Sequence, residues 1–215
     1  MAKKGRAIFL VYTDLADEKY DEEFNAWYDT QHLPQLLSMP GFLDGARYVA
    51  LKGGPKYLAA YEIESAEAVQ TPEFLNRTVP PWDRRMSPRV IGKNLTRIVG
   101  TQIFPDGLER TDRGMAPVLQ IGRMSVPEDV DAQWNAWYNG EYIPGYRKVP
   151  GVIYARRFKV VEGEVRYTTV YEFEDEKVPD SAEWNYQREH SSPSSGPMRN
   201  AMTMASGSPG VYRRI

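Results

Sequence analysis

The chain contains no cysteine, which excludes disulfides, thiolate nucleophiles, cysteine-held iron–sulfur clusters and Cys-containing zinc sites. It has no apolar run near the roughly 20 residues that a membrane-spanning helix needs, and residues 1–6 (MAKKGR) lead into a strand without a secretory apolar stretch. An excess of either charge is also missing. The 27 basic and 29 acidic side chains leave a net charge of -2, too little to draw in a phosphate backbone or an anionic membrane. Histidine is scarce, with only His32 and His190, far apart and not at metal-ligand spacing. No phosphate-binding glycine loop or dinucleotide fingerprint occurs, and the serines after His190 form no nucleophile elbow. These absences lead us to expect a cytoplasmic, unprocessed protein with no nucleic-acid or membrane partner, no metal and no cofactor.

What is present is an internal repeat. A shift of 110 residues aligns the chain with itself without a gap: Phe24-Asn25-Ala26-Trp27-Tyr28 falls on Trp134-Asn135-Ala136-Trp137-Tyr138, Pro40-Gly41 on Pro150-Gly151, Arg47 on Arg157, Tyr61-Glu62 on Tyr171-Glu172 and Gly100 on Gly210. Such a period marks two small units, here 1–107 and 117–215 with a polar, glycine-containing linker at 108–116.

Within one unit, residues 7–12 (AIFLVY) read as a strand covered on both faces, and 117–121 is its copy. Asp14 or Asp17 can cap a helix whose apolar positions Tyr20, Phe24, Trp27 and Tyr28 recur every three or four residues. Pro34 should kink or restart that helix, leaving His32 at a terminus. Residues 41–51 and 56–64 make a hairpin over the turn Lys52-Gly53-Gly54-Pro55, residues 65–77 a second helix, and 95–104 a last strand. Residues 78–93 and 188–205 read as loop-like insertions, the kind that act as lids or binding loops. The class is α+β: two βαββαβ ferredoxin-like units whose open sheet faces can cover each other.

Trp27-Tyr28-Asp29-Thr30-Gln31-His32-Leu33-Pro34, followed by Met39-Pro40-Gly41-Phe42 and Arg47-Tyr48, resembles the EthD-like branch of the dimeric α+β barrel superfamily. The resemblance covers nearly the whole chain apart from the linker and the two insertions. It implies a tandem fusion in which two ferredoxin-like units pack sheet to sheet as one intramolecular barrel, with a small, often aromatic ligand held between sheet and helices. The superfamily includes muconolactone isomerases, polyketide cyclases, quinone-forming monooxygenases and haem-dependent dehydratases, so fold is implied more strongly than activity.

His32 is the candidate acid/base, and Asp29, three residues earlier on a helix, its orienter. The second copy has Asn139 and Tyr142 at these positions, so the acid/base pair belongs to the first copy alone. Tyr61 or Tyr12 would stabilise a developing phenolate or enolate. Tyr28, Trp27, Tyr48, Tyr57, Trp82 and Arg47 are candidate substrate contacts. Tyr57 and Tyr61 share a strand face with small Ala59 between them, which leaves room for a ligand. For Arg47 a structural ion pair with Glu62 or Glu172 is the favoured reading, for Tyr28 packing against the sheet is favoured over substrate contact, and for Trp82 packing at the base of its loop is the alternative. His190, among Ser, Pro and Gly, should face solvent.

The expected function is a cofactor-independent lyase, isomerase or cyclase acting on a small hydrophobic phenolic or lactone-like compound. A non-catalytic aromatic-ligand carrier and a quinol-oxidising monooxygenase are the alternatives. Outer helical faces and sheet edges make a homodimer the expected assembly.

Overall fold

Alternation of side chains across the first strand sets the layers. The computed structural model describes residues 3–215, and in it β1 (Ala7–Leu15) sends Ala7 and Phe9 toward helices and Ile8, Leu10 and Tyr12 to the opposite face. The chain continues through α1 (Asp21–Trp27), a π turn (Tyr28–His32), α2 (Leu33–Leu37) and the hairpin β2 (Phe42–Lys52) to β3 (Tyr57–Ile63). Short helices α3 (Pro72–Leu75), α4 (Pro81–Met86) and α5 (Pro88–Ile91) precede β4 (Gly92–Phe104). After the linker come β5 (Val118–Ser125), α6 (Asp131–Trp137), a second π turn (Tyr138–Tyr142), α7 (Ile143–Tyr146) and the hairpin β6 (Val152–Glu162) to β7 (Tyr167–Phe173). The chain ends with α8 (Ala182–His190), α9 (Ser195–Ala201), the two-residue β8 (Thr203–Met204) and β9 (Gly210–Arg214).

Strands run in the order β7-β6-β4-β1-β3-β2-β9-β5, and a β5–β7 pairing closes the ring. The result is an eight-stranded antiparallel barrel, with β8 attached outside it to β5. Each half contributes four strands, and the seams are β4–β6 and β2–β9. Helices pack on the outer face, giving one apolar core per half, while a third core fills the barrel. Closure leaves no long sheet edge in the ring.

The gapless alignment is not the structural register. Ala7 pairs with Ile63 but Val118 pairs with Phe173, so β5 lies one residue beyond the 110-residue offset. Ile8 pairs with Gly100 but Leu119 with Tyr212, so β9 lies two beyond it, and the counterpart of Gly100 is Tyr212. The connections before these strands absorb the difference. Tyr12 therefore corresponds to Arg123, whose guanidinium lies 4.8 Å from the centre of the Tyr12 ring.

Two local expectations change. Residues 65–77 form a 3-10 turn (Ala66–Gln70) and then α3, because Pro72 forces Thr71 into extended geometry (φ -67°, ψ 151°). Neither 78–93 nor 188–205 is simply loop: Pro81 and Pro88 open α4 and α5, since a helix's first turn needs no amide donor there, and the second segment holds the end of α8, α9 and β8.

The barrel interior holds an ion cluster. Lys4 Nζ donates to Glu172 at 2.7 Å and Glu62 at 3.1 Å, and Arg156 bridges the same carboxylates. Burial alone would raise the Glu62 carboxyl, but Arg156 and Lys4 outweigh it and hold its pKa below the ordinary value. Arg47 takes no part, contrary to the ion pair considered for it. It lies opposite Ala59 in the β2–β3 register, on the helix-facing side, whereas Glu62 points inward.

Candidate functional site

Both halves bend the first helix in the same way. Pro34 has no N–H to give, and the chain responds with a widened turn in which the Leu33 N–H reaches back five residues to the Tyr28 carbonyl. Ile143 and Tyr138 repeat that bond. On a regular helix, residues five apart lie about 140° from each other. The widened turn brings them to one face instead, and the His32 ring stacks on Trp27 at 4.5 Å with Tyr28 edge-on at 5.0 Å. His32 thus sits mid-helix rather than at a terminus.

The same turn carries Asp29 away from His32. Asp29 is half-exposed and accepts from Arg47 Nη1 at 2.9 Å, while Arg47 Nη2 donates to Asn25 at 2.6 Å. Arg47 also lies over Tyr28 and Tyr57, 4.7 and 5.6 Å from their ring centres. Its guanidinium occupies the space beside Ala59 that seemed open for a ligand. The carboxylate nearest the imidazole belongs to another acid.

That acid is Asp83, buried on α4. Trp27 Nε1 donates to its Oδ1 at 2.8 Å and the Gln31 amide donates to the same oxygen. Its second oxygen lies 3.8 Å from His32 Nδ1, close enough for charge to act but too long for a hydrogen bond. Burial pushes the His32 pKa down to about 4; Asp83 opposes it, Arg77 adds to it. At neutral pH the imidazole is uncharged and able to accept a proton. Sequence spacing could not find Asp83, since 51 positions separate it from His32 along the chain. The only signal was a carboxylate flanked by Trp82 and the paired prolines Pro80 and Pro81.

His32 borders a cavity of about 500 Å³ between the sheet and the helices of the first half. Phe9, Val11, Leu36, Val69 and Phe74 form an apolar wall, Trp27 and Tyr28 flank His32, and Arg77, Arg89 and Arg97 stand among the polar lining residues. This volume and mixture are typical of small-molecule sites. Tyr61 lies behind Tyr28, donating to its hydroxyl at 3.4 Å and stacking on Phe9, so it reaches the cavity only through Tyr28. Burial raises the pKa of both phenols, which remain donors at neutral pH.

The other candidates lie elsewhere. Tyr12 and Tyr48 point into the barrel because their strand parity is opposite to that of Phe9 and Arg47, and the Tyr48 hydroxyl donates to the Ala116 carbonyl at 2.8 Å. Neither can touch a molecule held by His32. Tyr57 is tied to Asp21 beneath α1, and Trp82 turns outward to donate to Glu23 at 3.0 Å. His190 is exposed and stacks on Tyr186 at 4.1 Å, as expected. Among the described residues, no three His, Cys, Asp or Glu side chains gather to hold a metal ion, and no helix is long and apolar enough to cross a membrane.

No family model matches the chain, and no curated protein sequence does. Solved structures match over essentially its whole length. An anthrone oxidase-like protein superimposes with a TM-score of 0.61 at 12% identity, covering 100% of this chain and 94% of its own. A chlorite dismutase from Candidatus Nitrospira defluvii gives 0.61 at 12% identity, covering 97% and 91%. The fold is an intramolecular dimeric α+β barrel. A monooxygenase candidate from Fusobacterium nucleatum adds a TM-score of 0.58 at 9% identity over 98% of this chain and 93% of that one. At such identities the barrel's likeness concerns architecture, and the chemistry has to be argued from the cavity.

Proposed function

We propose that the barrel is an enzyme that moves a proton on a small hydrophobic aromatic compound, phenolic or lactone-like, bound in the first-half cavity, as a lyase, isomerase or cyclase. The observation that carries this reading is an uncharged His32 bordering a largely apolar cavity with the buried Asp83 carboxylate behind it. His32 takes a proton from a phenol or from a carbon beside a carbonyl. Asp83 stabilises the imidazolium so formed, and His32 returns the proton at another atom of the same molecule. The Tyr28 phenol, backed by Tyr61, is placed to donate to the oxygen where charge develops. No cofactor enters this scheme. The residues that resemble the EthD-like branch, Trp27 to Pro34, are those that build the His32 wall, which supports that assignment.

One observation favours a second reading, a carrier of aromatic ligands without turnover. A histidine held near pKa 4 is a weak base and cannot act as an acid at neutral pH without first taking a proton. Incubating the purified protein with a panel of phenols, hydroxycinnamates and aromatic lactones, and following substrate loss by mass spectrometry, separates the two. Turnover that disappears in His32→Gln while binding persists supports catalysis; turnover retained in His32→Gln removes His32 from the chemistry. Binding with no turnover of any compound leaves the carrier. A Soret or flavin band in the absorbance spectrum would overturn the cofactor-free part of the proposal.

A further inference from the structure

The polar part of the cavity lining is unbalanced in charge. Arg77, Arg89 and Arg97 all face it, with Asp83 and Glu162 as the acidic lining residues. Asp83 is engaged by Trp27 and Gln31. Glu162 pairs with Arg97 at 3.5 Å and accepts from the Gln70 amide at 3.5 Å. Among the described residues, neither Arg77 nor Arg89 has a carboxylate within 4.0 Å. With His32 uncharged, the cavity holds more guanidinium than carboxylate.

These guanidiniums are also positioned. Arg77 is half-buried, lies over the Phe74 ring at 4.4 Å and donates to the Phe74 carbonyl. Arg97 lies over Phe9 at 5.1 Å. Phe9 and Phe74 contact each other edge to face and belong to the apolar wall, so both cations border the surface on which a ring would rest. Burial and the nearby charges of Arg97 and Arg89 lower the Arg77 pKa despite Asp83, the signature of cations crowded without enough counter-charge. The second half lacks the pair: the 110-residue offset sets Gln187 against Arg77, and the strand register sets Pro209 against Arg97.

We infer that the ligand is an aromatic carboxylate, its ring against Phe9 and Phe74 on the way to His32 and its carboxylate held by Arg77 and Arg97. A planar guanidinium fork matches a carboxylate in two parallel hydrogen bonds, which a lone ammonium cannot do. An anion replaces the missing counter-charge at a site partly withdrawn from water. Arg89, exposed on α5, adds attraction at longer range. This inference deepens the proposed function and rests on the cavity being its ligand site.

The test uses the full chain and a matched pair of probes, 2-naphthoate and its neutral methyl ester, with affinities from isothermal titration calorimetry at low salt. The acid is expected to bind at least roughly tenfold more tightly than the ester. Arg77→Gln and Arg97→Gln should each weaken 2-naphthoate by about tenfold or more while leaving the ester unchanged. Arg77→Lys should recover part of the loss, and circular dichroism verifies that each variant is folded. Equal affinity for acid and ester overturns the inference and leaves the cavity reading intact, as does an equal loss of both probes in the folded arginine variants. If neither probe binds, the cavity reading fails and takes the inference with it.

Discussion

The two halves of the barrel share a helix with the same π turn and end in opposite results. In the first, His32 stacks on Trp27, and beyond it Leu36 and Phe74 leave a cavity. In the second, Tyr142 takes the place of His32 against Trp137 at 4.6 Å, Tyr146 the place of Leu36, and Trp184 that of Phe74. These rings close on one another, with Tyr142–Tyr146 at 4.9 Å and Tyr146–Trp184 at 4.3 Å, and fill the corresponding volume. Trp137 donates to the Ser195 hydroxyl at 3.2 Å where Trp27 donates to Asp83. Both indoles keep a hydrogen-bond acceptor, as burial demands, but only one acceptor carries charge beside a titratable ring. A scaffold constraint can thus be met in two ways, and the choice between carboxylate and hydroxyl goes with the difference between a half that holds a cavity and one that is packed.

The largest effect should come from the residue that differs most. His32→Gln is expected to lower turnover by about 10²–10⁴ with ligand binding retained, and Tyr142→Phe to leave turnover unchanged. Comparable losses from both would break the contrast between the halves. Leu36→Tyr, which gives the first half the second half's ring, should abolish binding of 2-naphthoate by occupying its space, as calorimetry would show. Unaltered binding would place the ligand elsewhere.

Much of this contrast was legible in the sequence. Strand alternation, the proline- and glycine-bounded hairpins and the unmatched His32 and Tyr142 all follow from local spacing. What failed did so for physical reasons. Pairing Asp29 with His32 assumed 3.6 residues per turn, and a proline two residues beyond His32 made that turn wider. Asp83 became visible only when α4 folded back over α1. Tyr12 and Tyr48 share residue type with Tyr28 and Tyr61, but alternation sends them through the sheet into the barrel. A gapless alignment also cannot reveal that connections of different length have shifted β5 and β9 along their neighbours.

Packing provides the next test. Tyr146 is buried among Tyr142, Tyr171 and Trp184, so Tyr146→Ala should leave a cavity and cost about 3–5 kcal/mol of stability. Leu36→Ala, at a wall that already borders open space, should cost about 2 kcal/mol. Urea unfolding midpoints compare the two directly. A larger loss at Leu36 would mean that the first half is the more tightly packed, contrary to the geometry.

Acid stability offers the smallest and most specific difference. An unfolded chain protonates His32 as pH falls through its ordinary value of 6.5, whereas the folded chain resists until about pH 4. Between those values the unfolded state binds more protons, so stability falls as pH falls across this window and levels off below it. This group contributes up to about 3 kcal/mol to that loss. His32→Gln removes it, so the stability difference between wild type and variant should shift in the variant's favour from pH 7 to pH 4. Tyr142→Phe supplies the control from the other half, since burial and then Tyr146 raise the Tyr142 phenol further from this window. Asp83→Asn should extend this window to lower pH, because it removes the charge that opposes burial at His32 and lets the imidazole pKa fall further. An unchanged window in Asp83→Asn would mean that the carboxylate 3.8 Å away does not act on the ring, and the two halves would then differ in shape alone.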